Sequence, residues 1–227
     1  MKSLYICGDS FGYPDPVYGP CWTELLADKL TNYKTVNLSR VCASNLQIAT
    51  QVDKAINDQA DFVLYLMTTS TREEVLHREK TQSGVIDRFT NIAEPEKSTD
   101  LTSYSIFSLD HTTILNRQQL QLLQKYHKSF FDLDLTIYKN ELIIESVLNR
   151  LEQSQIPFVY DQGGFENTRF TNTKDKVYFK RYLKHKSGIN LWNFARTKKH
   201  RPYYHIEDPK IHEDVACYYY KIINEQT

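Results

Sequence analysis

The chain has 227 residues, and its 28 Lys and Arg residues balance its 28 Asp and Glu residues. A chain of this length can bury a sizeable core. Zero net charge argues against a protein whose overall field attracts nucleic acid or an anionic membrane surface. The sequence contains no run of about eighteen apolar residues and no leader-like start. We therefore expect a cytoplasmic protein without a membrane partner.

The first seventy residues alternate between short apolar runs and segments with helical spacing. A continuous apolar run is typical of a strand covered on both faces, as in a parallel sheet. The β-α-β-α-β order predicts an α/β fold in which a central parallel sheet lies between two helical layers. The predicted elements are strand Leu4–Cys7, helix Trp22–Leu30, strand Lys34–Leu38, helix Ser44–Ile56 with Ser44 as its N-cap, and strand Asp61–Met67.

The pattern is weaker in the rest of the chain. Residues 77–112 are polar without a clear period, which predicts a long loop or lid-like insertion. Residues 116–126 and 136–153 have helical spacing, and residues 127–135 could join them into one bent helix. Ile156–Tyr160 is a fourth predicted strand, after which Asp161-Gln162-Gly163-Gly164 is typical of a turn.

The C-terminal part contains a basic irregular segment and a final helix. Within residues 165–204, Lys and Arg alternate with aromatic residues, a composition that can bind nucleic acid or anionic glycans. We favour a solvated surface neutralised by the acidic stretches 91–110 and 207–214, and so expect no nucleic-acid partner. The last helix is predicted to start at Asp208, with Pro209 at its first position. No repeat or linker divides residues 1–227, which predicts one domain.

The cysteines form no recognisable ligand pattern. Cys7, Cys21, Cys42 and Cys217 are widely spaced, with no Cys-x-x-Cys or Cys/His arrangement. We predict four reduced thiols, with Cys7 and Cys217 on core faces, and neither a metal nor a cofactor.

Gly8-Asp9-Ser10-Phe11 follows the first predicted strand. In an open α/β sheet, chemistry is expected outside the carboxyl ends of the strands, where this turn places a serine hydroxyl. The alternative interpretation is that Ser10 caps a helix. A serine nucleophile needs a base to take its proton. Of the seven histidines, His205 and His212 flank the start of the last helix, which can lie over the same sheet edge.

Three segments resemble the SGNH (GDSL-type) hydrolases in the family's order. Gly8–Phe11 resembles the first conserved block, Asn37–Asn45 the second, and His205–His212 the fifth. The resemblance covers residues 3–68 and the last twenty or so. Thr68–Arg72 and the Tyr- and Asn-rich composition resemble phage-encoded relatives most. The resemblance implies a flavodoxin-like three-layer fold and serine-dependent hydrolysis of an ester, often an acetyl group on a sugar.

Site roles follow from the same resemblance. Ser10 would be the nucleophile and His205 the base, with His212 as second choice. His205 would act either in a dyad with Ser10 alone or with Asp208 as a distorted acidic partner. Backbone N–H groups of Ser10 and Cys42, with a side chain near Ser70, would form the oxyanion hole. The expected substrate- and oxyanion-binding residues are Asp9, Cys42, Asn45, Thr69, Ser70 and Arg72. Within this set, a Ser or Thr hydroxyl, the Asn45 amide or the Arg72 guanidinium is the candidate replacement for the family's asparagine donor. Arg72 either binds an anionic or carbonyl group of the substrate or pairs with a surface carboxylate such as Glu73 or Glu74.

The chain departs from the family pattern at three places. Cys42 replaces a glycine, Thr68–Thr71 replaces Gly-x-Asn-Asp, and prolines stand where an aspartate should precede His205 or His212. Asp208 before Pro209 is also an ordinary helix cap. Two functions therefore stay open. One is an ester hydrolase acting on a small or carbohydrate ester. The other is an SGNH-fold binding or structural accessory protein with weak or lost activity, which a phage could encode and place in the host cytoplasm or the virion.

Overall fold

The computed structural model describes residues 1–14, 19–40, 43–68, 72–76, 101–105, 117–130, 132–162, 183–191, 206 and 208–226. Its strands are β1 (Lys2–Cys7), β2 (Tyr33–Asn37), β3 (Phe62–Met67), β4 (Arg72–Leu76), β5 (Leu101–Ser105), β6 (Phe158–Gln162) and β7 (Lys186–Asn190). Its helices are α1 (Trp22–Lys29), α2 (Asn45–Asn57), α3 (Arg117–Phe130), α4 (Leu133–Ser154) and α5 (Pro209–Gln226).

Five strands form one parallel sheet in the order β2-β1-β3-β6-β7. Its central strand β3 is buried at every residue, as its continuous apolar sequence predicts. The predicted parallel sheet is confirmed, and so are the predicted strands and helices of the first seventy residues, to within one residue at most ends.

Helices cover both faces of this sheet. On one face, α2 and α4 pack on a core that includes Tyr5, Val63 and Tyr65. On the other face, α1 and α5 pack on a core that includes Leu4, Leu64 and Val159. Neighbouring residues of β3 thus point into opposite cores, as the two-residue period of a strand requires. The three-layer α/β/α architecture is confirmed.

Three expectations for the chain after residue 76 are wrong. Leu101–Ser105 is a strand that pairs antiparallel with Arg72–Leu76, although it lies within the predicted insertion. Asp161 and Gln162 extend β6 instead of forming a turn. Lys186–Asn190 adds a fifth sheet strand within the predicted irregular segment. These short strands are largely polar and are stabilised by backbone pairing with a neighbouring strand. Their sequences therefore carry no apolar period from which a strand could be predicted. The rest of the insertion and most of the irregular segment lie outside the described residues.

The helices before β6 are separate rather than one bent helix. Asp132 has an extended backbone, and its Oδ1 accepts a hydrogen bond from the Leu135 N–H at 2.9 Å. This is an N-cap, so a new helix begins at Leu133.

The cysteine prediction is partly corrected. Cys7, Cys21 and Cys217 carry free thiols; Cys7 and Cys21 are buried, whereas Cys217 is exposed on α5 and does not face the core. Cys42 lies outside the described residues. Across the described ranges, no three His, Cys, Asp or Glu side chains are grouped to hold a metal ion. No helix in the described part of the chain is both long and apolar enough to cross a membrane.

Candidate active site

Ser10 lies at the point where the strand order of the sheet reverses. β1 lies between β2 on one side and β3 on the other, so the crevice outside the carboxyl ends of β1 and β3 is the switch point at which α/β sheets bind ligands. The Gly12 N–H donates to the Asp9 carbonyl at 3.1 Å, which closes a turn over residues 9–12. Residues 10–13 form a turn and a bend rather than the start of a helix, so Ser10 does not cap a helix.

Asp9 fixes this turn from inside the protein. Its Oδ1 accepts a hydrogen bond from the Phe11 N–H at 3.0 Å, and its Oδ2 accepts one from the Thr68 hydroxyl at 2.7 Å. The side chain is fully buried. Asp9 therefore joins the end of β1 to the end of β3, and the expectation that it binds substrate is wrong because both of its carboxylate oxygens bind within the fold.

Neighbouring elements hold the backbone on both sides of Ser10. Gln51 on α2 accepts from the Gly8 N–H at 2.7 Å and donates to the Gly8 carbonyl at 3.2 Å. The Trp22 indole on α1 donates to the Phe11 carbonyl at 2.6 Å. Asn37 at the end of β2 donates to the Gly12 carbonyl at 2.7 Å. The turn is thus preorganised by three elements before any ligand arrives.

Glycine is required at the end of the turn because another chain segment approaches it closely. A Cβ atom added at Gly12 would lie 2.4 Å from the Ser39 Oγ, and one added at Gly8 would lie 3.0 Å from the Leu66 Cβ. Both distances are shorter than side chains tolerate without displacing a neighbour.

Of the three residues between these glycines, Ser10 keeps the largest exposed fraction, 7%, against 0% for Asp9 and 3% for Phe11.

His212 is engaged by the backbone at both ring nitrogens. Its Nδ1 accepts a hydrogen bond from the Trp22 N–H at 3.0 Å, which leaves the proton on Nε2 to be donated to the Ile206 carbonyl at 2.9 Å. Burial lowers the pKa of His212, and the hydrogen bond to Ile206 opposes that shift only in part. With both nitrogens occupied, His212 has no lone pair for Ser10. Its expected role as a second-choice base is therefore wrong.

Asp208 caps the last helix. Its Oδ1 accepts from the Lys210 N–H at 2.8 Å, and its carbonyl accepts from the N–H groups of Ile211 and His212. The capping interpretation of the Asp-Pro pair is confirmed. The helix cap accounts for this carboxylate, whereas its expected partner His205 lies outside the described residues.

The Asn45 side chain also forms its hydrogen bonds within the fold. Its amide nitrogen donates to the Thr68 carbonyl at 3.1 Å and to Asn140 Oδ1 at 2.8 Å, and its Oδ1 accepts from the Thr68 N–H at 3.0 Å. Both amide hydrogens are thus bound, so the expectation that Asn45 donates to an oxyanion is wrong. It joins β3 to α2 and α4.

The structure does not describe the side chains of the remaining expected site residues. Arg72 begins β4, but its side chain lies outside what the structure describes. Cys42, Thr69 and Ser70 also lie outside the described residues.

Sequence reasoning missed Gln51 and Thr68 as supports of the turn. Gln51 carried a usable signal, because it is a polar residue on the apolar face formed by Ile48, Val52 and Ala55. A buried amide on such a face must find a partner. Thr68 carried no local signal, since its partner Asp9 is 59 residues away in sequence.

Comparison with known proteins gives a similarity to solved structures and none to sequences. No family model and no curated protein matches this chain. Among solved structures, it is similar to a protein of the G-D-S-L family from Desulfitobacterium hafniense DCB-2, a candidate lipolytic protein. The two share 8% sequence identity with a TM-score of 0.49, over 98% of this chain and 99% of that one.

Proposed function

We propose that this chain is a serine-dependent ester hydrolase of SGNH type, with Ser10 as its nucleophile. The observation that carries the proposal is the Ser10 turn, which three neighbouring elements hold at the switch point of a parallel sheet. The order of the three sequence segments that resemble the family supports it independently. A serine fixed in this way needs little rearrangement before it attacks a bound carbonyl.

In this proposal His205 is the base that takes the Ser10 proton. Ser10 Oγ attacks the ester carbonyl, His205 returns the proton to the leaving alcohol, and water then hydrolyses the acyl-enzyme by the same route. Backbone N–H groups of Ser10 and Cys42 stabilise the oxyanion. The hydrogen bond from His212 to the Ile206 carbonyl fixes the chain one residue after His205. His212 is thus a positioning residue in this proposal.

The substrate class is proposed from the family resemblance alone. We propose an O-acyl group on a carbohydrate, with the acetyl group as the simplest case. Comparing initial rates on p-nitrophenyl acetate and on an acetylated sugar tests this choice separately from the hydrolase proposal.

A fluorophosphonate probe tests the nucleophile directly. We expect the wild-type protein to be labelled and to hydrolyse p-nitrophenyl acetate, and we expect Ser10→Ala and His205→Ala each to lose at least about two orders of magnitude in turnover. Ser146→Ala, at an exposed serine of α4, is the matched control and should keep full labelling and activity. An unlabelled wild type, or equal labelling of Ser10→Ala, would contradict the proposal.

The second candidate is an SGNH-fold binding or structural accessory protein, encoded by a phage and located in the host cytoplasm or the virion. The internal hydrogen bonds of Asn45 favour it, because they remove one of the side chains that could replace the family's missing asparagine donor. Loss of one such donor costs about two to three orders of magnitude in turnover. A glycan array distinguishes the two candidates. If the chain is a binding protein, Ser10→Ala keeps the wild-type affinity for the ligand, and neither the wild type nor the variant hydrolyses that ligand.

A further inference from the structure

Asp161 is a buried carboxylate at the carboxyl edge of the sheet, and the reaction proposed above does not use it. It is the next-to-last residue of β6 and is fully buried. A buried carboxylate is kept in a fold only where hydrogen bonds or charges compensate for the loss of water. The Tyr219 hydroxyl supplies one hydrogen bond, to Oδ2 at 3.0 Å. Because a carboxylate accepts up to about four hydrogen bonds, this bond is compatible with a further donor.

The sheet register places Asp161 in one row with the residue that precedes the Ser10 turn. Asp161 pairs with Leu66 of β3, and a Cβ atom added at Gly8 would lie 3.0 Å from the Leu66 Cβ. Gly8, Leu66 and Asp161 are therefore neighbours across three strands, at the same level and on the same face of the sheet. Neighbouring strands lie about 4.8 Å apart, so the Asp161 Cα is about 10 Å from the Gly8 Cα.

The backbone next to the proposed base lies on this same face. Ile206 is buried in the core that lies between the sheet and the helices α1 and α5. The His212 ring donates to its carbonyl at 2.9 Å. Tyr219, which bonds to Asp161, belongs to the same core and lies two turns after His212 on α5. The chain is thus fixed one residue after His205 in the layer into which the Asp161 carboxylate points.

The other carboxylates considered for the site have structural roles. Asp9 accepts hydrogen bonds within the fold at both oxygens, and Asp208 caps α5. Prolines stand at the positions where the family pattern has its aspartate. Apart from Asp9, Asp161 is the one carboxylate in the described part of the chain that is fully buried. It is therefore the described carboxylate that best meets the need of a histidine base for a buried acidic partner.

We propose that Asp161 is the acidic positioning residue of the Ser10 site, in the role for which the family's aspartate is missing; this inference rests on the proposed function. Its carboxylate accepts the ring N–H of His205 that faces away from Ser10. This bond fixes the tautomer and stabilises the imidazolium that forms when the ring takes the Ser10 proton, while Asp161 stays ionised. A histidine ring with a hydrogen bond on each side spans about 8 Å, which is comparable with the separation of β1 and β6.

Two small changes separate the charge of Asp161 from its bond to Tyr219. Asp161→Asn keeps an acceptor for the Tyr219 hydroxyl but removes the charge, so turnover of p-nitrophenyl acetate should fall by about three to four orders of magnitude. Tyr219→Phe keeps the carboxylate and should keep most of its turnover at a temperature where it is folded. Asp28→Asn, at an exposed residue of α1, is the matched control and should keep full turnover.

Circular dichroism checks that each variant is folded. Asp161→Ser also keeps an oxygen for the Tyr219 hydroxyl and has no charge, so it takes the same measurements if Asp161→Asn does not fold.

The pH dependence of Ser10 labelling gives a readout that a purely structural role does not change. The rate of labelling by the fluorophosphonate probe should rise with pH as the base loses its proton. A carboxylate beside an imidazole favours the charged ring, so the midpoint of this rise should move lower by about one pH unit or more in Asp161→Asn. Asp28→Asn should keep the wild-type midpoint.

The outcomes distinguish this inference from the proposed function. If the wild type is active and the folded Asp161→Asn keeps its turnover, this inference is wrong and the proposed function stands. A loss of turnover without a shift of the midpoint would give Asp161 a structural role only and would also overturn the inference. So would a larger loss in Asp208→Asn than in Asp161→Asn. A wild type that the probe does not label would overturn both.

Discussion

Single side chains at the carboxyl edge take their roles from the backbone groups that they contact. His212 is the clearest case, because Trp22 and Ile206 occupy both nitrogens of its ring. Only the neutral ring can accept from the Trp22 N–H. Protonation of Nδ1 would turn that acceptor into a donor and place a charge in a buried site. The folded state therefore disfavours the protonated form, in agreement with the lowered pKa of His212.

This linkage predicts acid sensitivity. Because the pKa of His212 is lowered by folding, its contribution to the free energy of unfolding is complete above the unfolded pKa of about 6.5 and declines as the pH falls below it. The slope is at most about 1.4 kcal/mol per pH unit for one proton. His212→Gln should be less stable than wild type by about 1–3 kcal/mol at pH 7.5, since two buried backbone groups lose their partner. The difference should shrink at pH 5.5.

Urea unfolding at the two pH values measures both effects. His185, whose pKa is also lowered by burial, contributes the same slope in both proteins and so cancels in the comparison. If the free energy of unfolding of His212→Gln depends on pH as steeply as that of the wild type, the neutral His212 ring with its proton on Nε2 is contradicted.

Elements meet at the carboxyl edge through the N-terminal end of α2. Ser44 caps that helix by accepting from the Gln47 N–H at 3.2 Å, which is a local contact within one turn. Asn45, the next residue, joins α2 to β3 and to α4 through three buried hydrogen bonds. Adjacent residues thus act at different ranges, one within a helix and one between three elements.

Alanine substitutions should separate these two roles. Ser44→Ala should lower the free energy of unfolding by about 1 kcal/mol, the usual value of an N-cap. Asn45→Ala should lower it by about 2–4 kcal/mol, because it leaves the Thr68 backbone and Asn140 without their buried partner. Urea unfolding of both variants measures the difference. Equal losses would mean that Asn45 acts only as a helix residue.

The molecule as a whole is a sheet whose two faces are covered by separate helix pairs. On the α1–α5 side, the Tyr219 hydroxyl donates to the buried carboxylate of Asp161 at 3.0 Å, so α5 is bonded to the end of β6. The Tyr219 ring also lies 5.1 Å from the Trp22 ring of α1. This one side chain therefore contacts the sheet and the neighbouring helix of its layer.

Removing only the hydroxyl tests this link. Tyr219→Phe should cost about 1.5–3 kcal/mol, since a buried carboxylate loses a hydrogen bond while the ring contact with Trp22 is kept. Tyr220→Phe, at the exposed neighbour, should stay within about 0.5 kcal/mol of wild type. Thermal and urea unfolding give both values. A loss as small in Tyr219→Phe as in the control would show that Asp161 does not depend on Tyr219.

The sequence by itself determined the elements that are built from local patterns. The apolar runs of β1 and β3, the helical spacing of α2 with its Ser44 cap, and the Asp208-Pro209 start of α5 can all be read within a few residues. Their order is enough to predict a parallel sheet covered on both faces. The position of Ser10 after β1 follows from the same order.

Only the tertiary structure decided the roles of Asp9, Asn45 and His212. The sequence indicated each of them as a site residue. Each instead forms a hydrogen bond with a residue far along the chain, at separations of 59, 95 and 190 residues respectively. The strands β5 and β7 were missed for a related reason, because backbone pairing with another strand stabilises them without an apolar period. A local pattern fixes which way a residue's own segment folds. What its polar atoms bind depends on segments that only the folded sheet brings within hydrogen-bond distance.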